Sequence, residues 1–359
     1  MSLKEKVFKT LKENKINIEE GRVNCIPWPI SGMRKIVPGI RQGKYYLMTA
    51  QQKTGKTQFS CYILFEALLY AYEHPDHVAI KILCFPLEET PELILERWIS
   101  FLLARYSNRK IRLTPSDMES INSALNEEYY DYITKNKDLE KLIDFFESHV
   151  SFYQSTNPSG IYKDCENYAK ENGEIKYQTY VKDGVQHRKY DGYVSNNPKE
   201  YRIIWVDHIG LLSGETNASD IRSAIQLLSA TYFVKLRNNY GFTIWAVQQQ
   251  MAFDTVDAFK VDKIEPSCTN LSDNKATAKD ANLVIALWSP YYMGKDTLPG
   301  LNISFRALNH YGRILKILAN RDGMSGESVP LFMDGAVSIY DQLTADNINR
   351  YYEEVKKLC

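Results

Sequence analysis

Ala50-Gln51-Gln52-Lys53-Thr54-Gly55-Lys56-Thr57 have the types and spacing to hold a phosphate. A glycine-containing turn between a strand and a helix presents backbone N–H groups to phosphate oxygens, and the helix N-terminus adds partial positive charge. Lys56 is placed to reach the β- and γ-phosphates and the Thr57 hydroxyl to bind Mg²⁺, with Gln58 the next residue of the site. The apolar run "KYYLMT" before the loop and "QFSCYILFEALLYAY" after it meet the strand and helix requirements independently. Ala50 stands where glycine is usual. It is tolerated if it ends the strand with a negative φ, whereas Gly55 lies closer to the phosphates.

Nucleotide hydrolysis needs more than a loop. A Mg²⁺-ordering carboxylate belongs at the end of a neighbouring strand, and "RIIWVD" supplies Asp207. A further group must orient or activate water. The residue after Asp207 is His208, so the glutamate has to come from "ILCFPLEET", where Glu88 and Glu89 stand at the carboxyl end of a strand. One acid there can serve the water and the other the start of the next helix. "TIWAVQQQ" ends a further strand with Gln248, Gln249 and Gln250, which sense a γ-phosphate, bridge to a polynucleotide, or simply face solvent.

The elements that carry these residues alternate. From residue 44 onward, apolar β-type runs ("KYYLMTA", "VAIKILCFPLE", "YRIIWVD", "FTIWAVQQQ", "ANLVIALWS") are separated by helical patterns, among them "PELILERWISFLLARY" and a helix closed by Gly241. This predicts an α/β fold with a mainly parallel sheet flanked by helices. "GRILKILANRDG" and "SVPLFMDG" finish the sheet. Residues 3–14 form an amphipathic helix with Leu3, Val7, Phe8 and Leu11, and residues 15–43 are rich in turns. Residues 107–200 are polar, with one or two helical patches such as "LEKLIDFFESHV", and read as an insertion. The expected division is 1–40 as helix and linker, 41–345 as core with that insertion, and 346–359 as a C-terminal helix.

Composition narrows the classes. Lys plus Arg and Asp plus Glu are both 44, a net charge of zero, which weighs against a large external DNA-binding face but allows a few lysines lining a channel. No apolar run reaches membrane-spanning length, and "MSLKEKVFKTLKENK" lacks the apolar core of a signal peptide, so the expected compartment is the cytosol. Cys25, Cys61, Cys84, Cys165, Cys268 and Cys359 are far apart, which speaks against a zinc site or disulfide framework.

Taken in order, "TAQQKTGKTQF", "CFPLEETPELILER", "IIWVDHIGLL", "IWAVQQQ", "KDANLVIAL" and "LANRDGMSGESVPLFMDG" resemble the motifs of DnaB-type replicative helicases, a branch of the RecA-like P-loop ATPases. The resemblance covers roughly residues 20–340, and its Trp/Pro-rich entry and long insert look like bacteriophage versions of the family. It implies ATP and Mg²⁺ as cofactors, with Lys56 and Thr57 on phosphate and metal and Asp207 associated with the metal. It makes Glu88 the water-activating acid, Gln249 the sensor glutamine, and Arg321 an arginine finger reaching the ATP of the next subunit. Arg97 matches an arginine often found in the helix after the glutamate. The family forms a ring, usually of six, on single-stranded DNA and unwinds forked duplex with 5′→3′ polarity. Host cytoplasm is the compartment implied for a viral version.

Two departures stand out. Ala319 occupies the position two before the finger where the family often has Lys, and Lys316 is expected on the other strand face. Only about forty residues precede the core, so the N-terminal domain that contacts primase in cellular relatives is expected to be missing, and a primase or loader partner is left open. The helix at 3–14 docks either on a neighbouring subunit or on its own domain. DNA contacts are expected in 250–280, with Lys260, Lys263 and Lys275 as candidates. Three activities stay open: a translocating helicase, a RecA-like filament ATPase, and a nucleotide-switched scaffold or loader.

Overall fold

The computed structural model describes residues 3–215, 220–251 and 265–358. Thirteen strands are assigned among them. A short ribbon pairs β1 (Ile26–Pro27) with β2 (Gly39–Ile40). The central sheet has nine strands: β3 (Tyr45–Ala50), β4 (Ala79–Pro86), β5 (Val150–Phe152), β8 (Glu200–Asp207), β9 (Thr243–Gln249), β10 (Leu283–Trp288), β11 (Gly312–Asn320), β12 (Ser328–Asp334) and β13 (Ile339–Gln342). Their spatial order is β13-β12-β11-β10-β3-β9-β8-β4-β5. From β10 to β5 all neighbours run parallel, while β11, β12 and β13 are added antiparallel. The sheet is therefore RecA-like and mainly parallel, as the alternation of elements predicts.

β3 shows why. All six of its residues are buried, so it can only be an interior strand covered on both faces. One face packs Tyr46, Met48, Trp205 and Trp245 against α3 (Lys56–Glu73) and α4 (Pro91–Tyr106). The other packs Leu47, Ile204 and Ile244 against α8 (Pro158–Glu171) and the long helix of residues 221–240. Helix α4 starts where Thr90 caps Leu93 N–H and Pro91 takes the first turn. The 221–240 helix carries a π-helical stretch, Leu227–Phe233, that its sequence pattern does not announce, and it ends at Gly241 with φ 71°.

The polar segment 107–200 contributes more regular structure than its composition suggests. Its helix α7 (Lys137–His149) buries Leu139, Leu142 and Phe146, a narrow apolar stripe in an otherwise charged sequence. β5 extends the central sheet beside β4, and Ile161, Cys165 and Ala169 of α8 belong to the second core. Tyr153, Tyr162, Tyr168, Tyr190 and Tyr193 pack against that core rather than around a core of their own. Strands β6 (Gly173–Lys182) and β7 (Val185–Ser195) form a separate two-stranded hairpin. Cys61, Cys84 and Cys165 are core residues whose thiols burial pushes up. Among the described residues no helix is long and apolar enough to cross a membrane.

The sheet has two functional edges. Ala50, Pro86, Asp207 and Gln249 end their strands at the carboxyl edge. β11 runs back against β10, so Asn320 lies opposite Leu283 at the amino edge, level with Tyr46 of β3.

Candidate nucleotide site

The loop sits at the carboxyl edge, between β3 and α3. Ala50 is the last residue of β3 and is not among the residues with positive φ. This is why an alanine serves there. The left-handed positions are Lys53 (φ 59°) and Gly55 (φ 98°). Gly55 is the N-cap of α3, so the helix dipole and its free N–H groups point out through the loop. A Cβ on Gly55 would lie 2.6 Å from the Tyr340 hydroxyl and 2.8 Å from Met333 Cε.

Lys56, Thr57, Glu88 and Asp207 converge on this loop. Lys56 Nζ donates to Glu88 Oε2 at 2.9 Å, and His208 Nε2 lies 3.7 Å from the same oxygen. A small cavity is lined by Thr57, Glu88, Glu89, Trp205 and Asp207. Asp207 is 4 % exposed, and neither of its carboxylate oxygens has a hydrogen-bond partner. Burial pushes its carboxyl up to about 7, against the pull of the Lys56 charge and the nearby Thr57 hydroxyl. Two orphaned carboxylate oxygens beside a buried Thr hydroxyl are the donor set of a Mg²⁺ shared with phosphate oxygens. No group of three or more His, Cys, Asp or Glu converges among the described residues, so ligand oxygens would have to complete such a site. The residues present fit the group. His208 is neutral in this setting, because burial and the Lys56 charge both push its pKa down.

Glu88 and Glu89 divide their work. Arg97 holds Glu89 bidentately, Nε to Oε2 at 2.9 Å and Nη2 to Oε1 at 2.6 Å, which leaves Glu88 as the acid facing the loop. The cap of the next helix is Thr90, neither acid.

The three glutamines also separate. Gln248 is buried, donates to the carbonyls of Ser272 and Asn274, and accepts from Thr277 Oγ1. Gln249 pairs in register with Ala50, on the face of β9 that carries Val247 and Trp245. Gln250 donates its backbone N–H to the Ala50 carbonyl. Gln51 and Thr54 are buried in the loop, while Gln52 and Lys53 are exposed. Gln58 is half-buried in the first turn of α3.

Arg321 is not part of this constellation. It lies at the amino edge of the sheet, exposed, with its backbone N–H bonded to Asn282 O and its guanidinium to Lys279 O. It is thus at the opposite end of β3 from its own loop. Asp322 beside it pairs with Lys44 (2.7 Å) and Arg41 (3.2 Å). Lys316 ion-pairs with Glu265, so it does not stand in for the lysine missing at Ala319. Of the DNA-contact candidates, Lys275 is exposed, and Lys260 and Lys263 lie outside the described residues.

Two residues at the site carry no motif. Arg313, the second residue of β11, donates from Nε to Thr54 O at 2.8 Å, and the Tyr340 hydroxyl of β13 donates to Gly55 O at 3.0 Å. The one hint of the first is a charge inside the apolar run "GRILKIL".

No family model matches the sequence, and no curated protein matches it. Solved structures do match in fold. The ATPase domain of one DnaB-like replicative helicase, solved by itself, aligns over 96 % of this chain and 99 % of that one, with TM-score 0.64 and 14 % identity. A second DnaB-like replicative helicase, solved to show its interactions with primase, aligns over 96 % of this chain and 67 % of that one, with TM-score 0.62 and 14 % identity. Over nearly its whole length, this chain has the RecA-like fold of DnaB-type helicase ATPase domains.

Proposed function

We propose that the chain is an ATP-hydrolysing motor of the DnaB helicase type, which assembles head-to-tail and moves on single-stranded DNA. The observation that carries this reading is the meeting of Lys56, Thr57, Glu88 and Asp207 at the carboxyl edge of a RecA-like sheet. The loop N–H groups and Lys56 hold the β- and γ-phosphates. Asp207 and Thr57 hold Mg²⁺, which would offset charge building on the phosphate oxygens. Glu88 accepts the proton of the attacking water. In the unliganded chain Glu88 is tied to Lys56, so a phosphate that draws Lys56 away also frees the base.

The finer features rest on the resemblance and on placement. Arg321 at the far edge cannot serve its own loop and is placed to serve a neighbour's. Leu3, Val7, Phe8, Leu11 and Ile18 of α1 (Leu3–Glu19) are all exposed, Phe8 to 58 %, which favours docking on a neighbouring subunit over packing on its own domain. A ring of six, 5′→3′ polarity and forked duplex as substrate belong to the same reading. The nucleotide-switched scaffold stays as the second reading, favoured by Ala319 and by the engagement of Lys316 with Glu265.

The test is steady-state ATP hydrolysis with and without single-stranded DNA, for the wild type and Glu88→Gln. The motor reading expects strong stimulation by DNA and a loss of about 10²-fold or more in the variant, with ATP still bound. A slow, DNA-independent rate equal in both proteins would replace it with the switch.

A further inference from the structure

A loop that binds an anion through its N–H groups must send its carbonyls the other way. Here those carbonyls have partners. Gln51 O accepts from Thr54 Oγ1 at 2.7 Å, Thr54 O from Arg313, and Gly55 O from Tyr340 as well as from Phe59 N–H. Arg313 and Tyr340 both come from the antiparallel strands added after the parallel sheet is complete, more than 250 positions along the chain from the loop.

Arg313 is 2 % exposed and donates to three carbonyls: Thr54, His310 at 2.6 Å and Gly312 at 2.9 Å. The Tyr292 ring lies 5.4 Å from its guanidinium carbon. A buried arginine is ordinarily paired with a carboxylate. A carboxylate here would place negative charge directly behind a phosphate site, whereas carbonyls satisfy the donors and leave the positive charge in place. Burial accordingly pushes the Arg313 pKa down, and what offsets it comes from Tyr340 and Tyr292 rather than from an acid. Tyr340 is wedged between Phe59 (5.1 Å between ring centroids) and Tyr62 (5.6 Å), which aims its hydroxyl. Burial raises its pKa, so the hydroxyl remains a donor.

We propose that Arg313 and Tyr340 are positioning residues for the nucleotide polyphosphate. They hold the loop from behind with its N–H groups turned outward before the ligand arrives, and Arg313 supplies a cation whose missing counter-charge is the phosphate itself. This rests on the reading of the loop as a nucleotide site. Pre-organisation of this kind raises affinity by removing the ordering of the loop from the binding step.

The test measures binding of Mg-ATP and of inorganic pyrophosphate by calorimetry, the KM and kcat for ATP, and the melting temperature without ligand. Tyr340→Phe removes one donor and no packing. It should weaken both ligands about fivefold. Arg313→Gln keeps a donor for Thr54 O and removes the charge, and should weaken both tenfold or more. In each, KM should rise by a larger factor than kcat falls. Arg313→Lys should recover part of the loss, because the charge returns without the fork. Wild-type affinity in Tyr340→Phe and in the folded Arg313 variants would overturn the proposal. If Arg313→Gln does not fold, Tyr340→Phe and Arg313→Lys decide alone. If the wild type binds neither ligand, it is the nucleotide reading that fails.

Discussion

At the scale of single residues, Asp207 is under tension in the unliganded protein. Its carboxyl, ordinarily near 3.8, is pushed up to about 7 by burial. An acid with a raised folded pKa binds its proton more tightly in the folded state. Its contribution to stability is complete below 3.8 and is lost as pH rises through about 7. The charge at alkaline pH therefore destabilises the unliganded fold, on the order of 4 kcal/mol for a shift of this size. Asp207→Asn should melt higher than the wild type at pH 8, with the gap closing by pH 5, and should fail to hydrolyse ATP. His208 titrates in the same window with the opposite sign, being easier to fold when neutral, but it is common to both proteins and cancels in the difference. Parallel melting curves across pH 5–8 would show that Asp207 is not the strained group.

At the scale of elements, the loop, its strand and its helix were legible because three signals coincide: an apolar run, a glycine turn and a Lys-Thr pair. Glu88 and Asp207 were legible for the same reason, each being a polar residue at the end of a buried strand. The π-helical stretch was not, since Leu227–Phe233 has the apolar spacing of an ordinary helix and differs only in its hydrogen bonds. Nor were Arg313 and Tyr340, whose partners are backbone carbonyls far away in sequence, which impose no pattern. The adjacent glutamines show the limit most sharply. Alternation along β9 puts Gln248 into the core, where it fastens the segment Ser272–Thr277, and Gln249 on the opposite face. Gln248→Leu should release that segment without emptying the core. Amide exchange within residues 271–278 should speed up by about tenfold or more while β3 and β8 keep their protection. Unchanged exchange there would mean the three bonds of Gln248 hold nothing.

At the scale of the whole molecule, the decisive fact is that the loop and Arg321 lie at opposite edges of one sheet. Two inactive variants test what that separation is for. Lys56→Ala keeps the finger and loses the loop, while Arg321→Ala keeps the loop and loses the finger. Mixed before assembly, they should regain ATP hydrolysis that neither shows alone, because some interfaces then pair an intact loop with an intact finger. No recovery on mixing would place Arg321 outside the reaction.

That separation also sets a rule of counting. Where each copy completes the site of the next, a two-fold symmetric pair, which matches like edge with like, contains no complete site at all. An open row has one fewer working site than copies, and its terminal loop idles. Closure restores the last site without adding a residue. Specific activity should then climb with protein concentration and level off only when the ends have met, so the dilution curve of the ATPase reads out the geometry of assembly.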